Sequence, residues 1–397
     1  MIKISFLRSS LHNNKGLDAI NKRFIEGIES NLNDKLVVAP IEDYECDLKL
    51  IFIESGGSEG LFLENIENLK EPYYLLTSGN NNSLAASMEI LTYLNLHDKK
   101  GEILHGSEGY IAKRIKQIES YNNLVGKLKG MKLGVIGKPS DWLISSIPAS
   151  LILKEKLGVS LINIDIQELI DEYHTTNVNE YHETIELKFD KDELDMAKRM
   201  HVAIKKLKEK YMLSALTIRC FDLLNTCKTT SCLSFGILNS QDIVATCEGD
   251  IMAMISMVVA RDYCHTDAFQ ANPSKIDLEK NEILFAHCTI PFRMLESYKL
   301  DTHYESGIGV AIKGELKEDD VTIFRMSSDM KHYFVSEGHI IKNLNEKNLC
   351  RTQILVKADD DIHTLFTNPC GNHHIIIYGK HKKEIEYLMK ELNFKTY

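Results

Sequence analysis

The 397-residue sequence predicts an α/β chain in which two tandem α/β units precede a β-rich, barrel-like C-terminal domain. Three observations carry this. From the N-terminus, short β-rich runs alternate with helically spaced segments, the rhythm of an open α/β sheet. The rhythm breaks at Lys129-Gly130-Met131 and restarts with a new strand. After Asn272 the chain turns into short β runs, separated by turn residues at intervals of roughly ten to fifteen, as in an antiparallel sheet or barrel. The predicted domains are 1–128, 129–266 and 267–397.

In the first unit, Ile2 to Leu7 reads as a strand and Leu17 to Leu32 as a helix. Lys35 to Val38, Leu48 to Ile53, Tyr73 to Leu76 and Glu102 to Leu104 read as further strands. The loop Glu54-Ser55-Gly56-Gly57-Ser58-Glu59-Gly60 follows a strand, as a ligand loop or a simple turn would, but its spacing is not a dinucleotide fingerprint. Helices are expected over Leu84 to Leu96, with Ser83 as cap, and over Ser107 to Leu128.

The second unit opens with the strand Lys132 to Ile136 and the loop Gly137-Lys138-Pro139-Ser140-Asp141-Trp142. Helices are expected over Ser145 to Leu157, Ile166 to Tyr173 and Lys191 to Tyr211, and strands over Ser160 to Ile164 and Ser214 to Cys220. A strand ending at Cys247 and a helix over Asp250 to Ala260 complete it. In the third domain, Ile283 to Ala286, Gly307 to Ile312, Val321 to Arg325, Gly338 to Ile341, Gln353 to Val356 and Ile375 to Tyr378 read as strands, and His381 to Leu392 as a terminal helix.

The net charge of −10 argues against a nucleic-acid partner, since phosphate binding needs a basic face. Nine cysteines without a Cys-x-x-Cys pair read as thiols. No apolar run reaches the ~18 residues of a membrane span, and the N-terminus is no signal peptide, so a cytoplasmic protein is expected. A nicotinamide-dependent dehydrogenase is disfavoured, because no Gly-x-Gly-x-x-Gly follows a strand.

The chemistry concentrates between Ser231 and Pro291. An apolar run ends in Cys247-Glu248-Gly249-Asp250, which presents two carboxylates at the carboxyl edge of a sheet. Asp250 is equally placed to cap the helix that begins at Ile251. His287 ends a second apolar run, and Gly371-Asn372-His373-His374 precedes a third. Neighbouring residues of a strand face opposite ways, so at most one of His373 and His374 reaches a shared site. One Glu, one or two His and an amide or water oxygen suit Mn²⁺ or another octahedral divalent cation better than structural zinc. Trp142 either packs in the core or stacks on a sugar face. His303 and Glu305 either bind ligand or lie in a solvated loop. Arg351 either clamps an acidic substituent or forms a structural ion pair.

Six phrases in order carry a family resemblance: Ala-Thr-Cys-Glu-Gly-Asp (245–250), Phe-Gln-Ala-Asn-Pro (269–273), Ala-His-Cys-Thr-Ile-Pro (286–291), Thr-His-Tyr-Glu-Ser-Gly (302–307), Cys-Arg-Thr-Gln (350–353) and Gly-Asn-His-His (371–374). The chain from Ser214 onward resembles the L-fucose isomerase/L-arabinose isomerase superfamily, above all its shorter fucose isomerase-like branch. Residues 1–213 match in architecture alone, as tandem Rossmann-like (flavodoxin-like) α/β domains.

The resemblance implies a Mn²⁺-dependent aldose–ketose isomerase that moves a proton between C1 and C2 through an ene-diol. Glu248 would be both metal ligand and acid/base. His287 and His373 or His374 would complete the metal site, with Asn272 where characterised members carry a second acid. An amide oxygen can coordinate a metal but is no base at neutral pH, so Asp250, Asp267 or Glu305 is expected to take the second role. Trp142, His303, Glu305 and Arg351 are the expected substrate-binding residues. The implied substrate is a small free or acid-modified sugar, and the implied assembly a homo-oligomer. The alternative is a non-catalytic sugar-binding or regulatory protein that keeps the fold, a reading that Asn272 favours.

Overall fold

A computed structural model describes residues 1–10 and 15–397. The chain divides into two compact units, Met1–Gly126 and Lys127–Tyr397. In the first, the elements run β1 (Ile2–Leu7), α1 (Lys15–Leu32), β2 (Leu36–Val38), β3 (Leu48–Ile53), α2 (Glu59–Glu64), β4 (Tyr73–Leu76), α3 (Ser83–Leu96), β5 (Gly101–Leu104) and α4 (Glu108–Leu128), the last carrying the chain out of it. The strands form a parallel sheet in the order β2-β1-β3-β4-β5. Every residue of β3 is buried, as in a strand covered on both faces.

The second unit begins with β6 (Lys132–Ile136), α5 (Ser150–Leu157), β7 (Ser160–Ile164), α6 (Ile166–Thr175), α7 (Lys191–Tyr211), β8 (Ala215–Ile218), α8 (Asp222–Thr226), α9 (Cys232–Asn239), β9 (Val244–Cys247) and α10 (Ile251–Cys264). Its parallel sheet has the order β7-β6-β8-β9. The strand order reverses between β6 and β8, and ligands of open α/β sheets bind at the carboxyl ends of the strands beside such a point.

The chain then forms β10 (Ala268–Asp277), β11 (Glu282–His287), β12 (Leu295–Asp301), β13 (Ala311–Leu316), β14 (Asp320–Met326), β15 (His332–Asn343), β16 (Thr352–Ala358), α11 (Thr364–Thr367), β17 (His374–Tyr378), α12 (Lys382–Glu391) and β18 (Lys395–Thr396). An antiparallel barrel runs β14-β17-β10-β11-β16-β15 and closes through the pairing of β14 with β15. Phe269, Phe285, Ile323, Ile354 and Ile376 lie in its core. Strands β12 and β13 form a separate hairpin.

Helix α10 joins the two halves of this unit. It is buried along most of its length and packs on β8 and β9 as well as on β10, β14 and β17. A helix apolar on all sides is one buried between layers. Ile255, Val258 and Val259, all at most 2% exposed, each contribute about 1.5–3 kcal/mol by burial. The helix thereby fixes both ends of the turn that precedes it.

The mixed architecture matches the sequence expectation, with local differences. Helix α5 starts at Ser150 instead of Ser145, because Pro148 drives the preceding residue out of helical geometry. The strand expected from Gly307 starts at Ala311, since Gly309 sits at φ 69°, outside strand geometry. Strand β10 includes the phrase Phe-Gln-Ala-Asn-Pro, and the Ser/Cys-rich segment before Phe235 starts the buried helix α9. Among the described residues no helix is long and apolar enough to cross a membrane.

Candidate metal centre

The site is built on the turn between β9 and α10. Glu248 and Gly249 both have left-handed backbones, at φ 67° and 70°. A Cβ at residue 249 would stand 2.8 Å from Lys138 O and from Pro139 Cα, so only glycine fits. The β6 loop holds the turn from the other side, with Ser140 N donating to Glu248 O at 2.9 Å. For Glu248, which has a Cβ, such a conformation costs about 1–3 kcal/mol, and residues held this way cluster at functional sites.

The turn aims the two acids at different atoms of one histidine. Asp250 is fully buried. Its Oδ1 caps α10 by accepting from Ala253 N at 2.8 Å and also accepts from Arg325 Nη2 at 3.1 Å. Its Oδ2 lies 2.8 Å from His373 Nδ1. Burial opposes ionisation of Asp250, but Arg325, itself fully buried, and His373 hold its carboxyl far below the usual carboxylate range. An ionised carboxylate only accepts, so Nδ1–H of His373 donates to it. The Nε2 edge of His373 then faces Glu248, 3.5 Å from Oε1 but without hydrogen-bond geometry.

His287, at the end of β11, completes the group; its ring centre is 5.3 Å from that of His373. Its Nδ1 lies 3.1 Å from Thr289 Oγ1, leaving Nε2 available. One ligand atom from each of Glu248, His287 and His373 lies within 4.8 Å of the others. Burial, aided by the neighbouring His373, pushes the His287 pKa down to about 3, so the ring is neutral. Burial works the same way on His373, but the carboxylates of Asp250 and Glu248 outweigh it and raise its pKa to about 9. Burial likewise opposes ionisation of Glu248, and His373 is the chief group that holds its pKa low.

A divalent cation fits this set. His373 Nε2 is buried and makes no hydrogen bond, and it converges with a neutral imidazole and a carboxylate. In the metal-free protein a proton on His373 balances the two carboxylates, and metal binding would displace it. Two nitrogens and one carboxylate leave positions for other oxygens, a donor set suited to a borderline or hard divalent metal.

Trp142 also reaches the centre. Its Nε1–H donates to Glu248 Oε2 at 2.6 Å, its ring meets Phe221 edge-on, and it is 52% exposed. His303 also packs edge-on against Phe221, so the three rings form an aromatic wall. Burial lowers the His303 pKa, as does Arg351, while Glu248 opposes. Glu305 lies in the same loop, its pKa raised by burial and by Glu248. Arg351 donates to Thr302 O and Oγ1, lies 3.5 Å from Asp301, and stacks over Tyr304.

Other expected residues sit elsewhere or face away. Asp267 pairs with Arg293 at 2.6 Å, in a cleft it shares with Asp242, Arg261 and His265, and does not join the Glu248 group. Asp250, expected as an acid/base group, is shut behind His373 with both oxygens engaged. His374 turns toward Phe285 and Phe334, its Nδ1 near Asn372 O, so of the two histidines His373 joins the group. Asn272 lies half-buried on β10 opposite Ala286. It shares a strand face with Gln270, whose Oε1 accepts from Cys247 N at 2.8 Å. Sequence reasoning missed Arg325, Phe221 and Gln270. The signal for Arg325 was an arginine between the apolar run Val321-Thr322-Ile323-Phe324 and Met326, a placement that demands a buried acid.

No family model matches the chain. Two curated relatives, from Priestia aryabhattai and Priestia megaterium, are each 24% identical over 335 residues, covering 79% of this chain and 75% of the relative. Both are named sulfoquinovose isomerase. The chain is similar to sulfoquinovose isomerases. A third protein of that name, from Alkalicoccus urumqiensis, is 21% identical over 240 residues, covering 57% of this chain and 54% of its own length. The similarity to the Priestia sulfoquinovose isomerases covers more of this chain than its second unit, whose 271 residues hold the whole Glu248 group.

Proposed function

We propose that this chain is a divalent-metal-dependent isomerase that interconverts an aldose and its ketose, acting on a sulfonated hexose. The reading places it in the L-fucose isomerase/L-arabinose isomerase superfamily, in the shorter fucose isomerase-like branch, and in the cytoplasm as a homo-oligomer. The convergence of Glu248, His287 and His373, whose Nε2 is buried and makes no hydrogen bond, carries it. The sulfoquinovose isomerase relatives supply the reaction and the substrate class.

A bound Mn²⁺ or similar cation supplies Lewis acidity, without which a proton beside a carbonyl is too weakly acidic for a carboxylate to remove. Glu248, His287 and His373 would hold the cation, with the Asn272 amide oxygen as a further ligand. Glu248 stays ionised and carries the proton between C1 and C2 through an ene-diol. Trp142 fixes one oxygen of Glu248 and offers an apolar face to the sugar ring. Glu305, with no ion pair among the described residues and a pKa raised by burial, is the group for the second proton transfer. Arg351 faces the sulfonate.

The test is a panel of pentoses, deoxyhexoses and sulfonated or uronic hexoses assayed for ketose formation with Mn²⁺. Glu248→Gln abolishes turnover on the sugar so identified while the circular dichroism spectrum stays unchanged. Survival of activity within about tenfold removes Glu248 from the role. Asn272 favours the second reading, a sugar-binding protein without turnover; sugar binding with no ketose formed from any sugar of the panel would select it.

A further inference from the structure

We propose that Asp250 and Arg325 are positioning residues that set the metal affinity of the centre by fixing the tautomer of His373. The inference rests on the metal-centre reading above and deepens it. A helix cap needs one carboxylate oxygen, and Asp250 Oδ1 serves α10. Oδ2 has a different task, accepting from His373 Nδ1 at 2.8 Å. With hydrogen held at Nδ1, the lone pair of the neutral ring sits on Nε2, the edge that faces Glu248. Carboxylates placed behind a ligating histidine orient it in this way and strengthen its binding.

Arg325 keeps that carboxylate in place. Its Nη2 reaches Asp250 Oδ1 and Ser146 Oγ, each at 3.1 Å, and its Nε lies 3.5 Å from Cys370 O. One guanidinium therefore ties together the chain after Glu248, the loop after Trp142 and the segment before His373. All three groups, Asp250, Arg325 and His373, are fully buried. Water cannot replace any of these contacts at low cost.

Asp250→Asn separates positioning from capping. The asparagine keeps an oxygen for Ala253 N and Arg325 but turns an N–H donor toward His373 Nδ1. The neutral ring must then carry its hydrogen on Nε2, where the metal should bind. Titration of the full-length protein with Mn²⁺ alone, by calorimetry, is expected to show a roughly 10–100-fold weaker Kd for D250N. In the Mg²⁺-loaded wild type a downfield Nδ1–H resonance of a histidine donating to a carboxylate is expected, and it is absent in D250N. A purely structural cap would leave that resonance and the Kd unchanged. D250N binding Mn²⁺ within about twofold of wild type, with the resonance retained, overturns the inference. Arg325→Lys, which keeps the charge but not the fork, decides the matter if D250N does not fold: a roughly three- to tenfold weaker Kd supports the inference, and an unchanged one overturns it. If the wild type itself binds no Mn²⁺, the metal-centre reading fails first.

Discussion

The proton on His373 makes the stability of the metal-free protein depend on pH in a direction opposite to that of an ordinary buried histidine. Its pKa stands at about 9 in the folded state against an ordinary 6.5, because Asp250 and Glu248 flank it despite its burial. A group whose folded pKa is raised contributes stability that is fully present below about 6.5 and lost as pH rises through about 9. The difference between those two values is worth ~3 kcal/mol. The low pKa of Glu248 is the same interaction seen from the acid and adds nothing to this figure. The perturbation is a pH series from about 5.5 to 10 in excess chelator, on wild type and His373→Gln, with urea midpoints converted to free energies. The wild-type advantage over the variant is expected to shrink by ~3 kcal/mol across the series, mostly between about pH 6.5 and 9. With saturating Mn²⁺ that loss is cancelled between about pH 6.5 and 9. Cation and proton compete for Nε2, so apparent affinity rises by about tenfold per pH unit until His373 is deprotonated. A wild-type advantage that stays flat or grows between about pH 6.5 and 9 without metal refutes the assignment of the proton.

Two further outcomes test the turn and the substrate class. Gly249→Ala, which drives a Cβ to 2.8 Å from Lys138 O at φ 70°, is expected to cost on the order of 2–3 kcal/mol in urea unfolding and to weaken Mn²⁺ binding together with stability; a loss below about 0.5 kcal/mol, the size of a neutral surface change, refutes the steric argument. Arg351→Met is expected to raise KM for a sulfonated hexose about tenfold or more while leaving KM for a neutral sugar within about twofold, as the loss of one charged hydrogen bond implies; equal shifts for both sugars remove Arg351 from the sulfonate.

The parallel sheets were legible because their strands are near-continuous apolar runs bounded by glycine and polar loops, as Leu48–Ile53 and Lys132–Ile136 show. The barrel was legible as well: the expected runs fall within β11, β14, β15, β16 and β17, five of its six strands. Strand β10 escaped because Gln270, Asn272 and Pro273 interrupt its alternation. Those residues serve long-range partners, Cys247 N for Gln270 among them, that local periodicity does not encode. Glu248, His287 and the His373-His374 pair stood out because each is a polar group at the edge of an apolar run. Which of the paired histidines turns to Glu248 was not legible, because it depends on Phe285 and Phe334, which lie against His374 from other strands of the barrel. Asp250 could be read as catalyst or as cap, and its actual surroundings include Arg325, 75 residues further along the chain.

The sequence Glu-Gly-Asp acquires its meaning from two consecutive left-handed residues. In an ordinary strand, residues 248 and 250 would project from the same face and repel each other. The reversal at Glu248 and Gly249 instead leaves the carboxylates at opposite edges of one imidazole, with Glu248 Oε1 3.5 Å from Nε2 and Asp250 Oδ2 2.8 Å from Nδ1. The backbone strain at Glu248, about 1–3 kcal/mol, is of the same order as the ~3 kcal/mol gained when both acids bear on His373. Relaxing the turn would therefore yield little stability while separating the acid at His373 Nε2 from the acid at its Nδ1. That balance explains why glycine must stand between the two acids. The Gly249→Ala variant is thus expected to lose metal affinity even in preparations whose circular dichroism spectrum matches wild type; retention of wild-type Kd by such a preparation would show that the turn geometry is incidental to the centre.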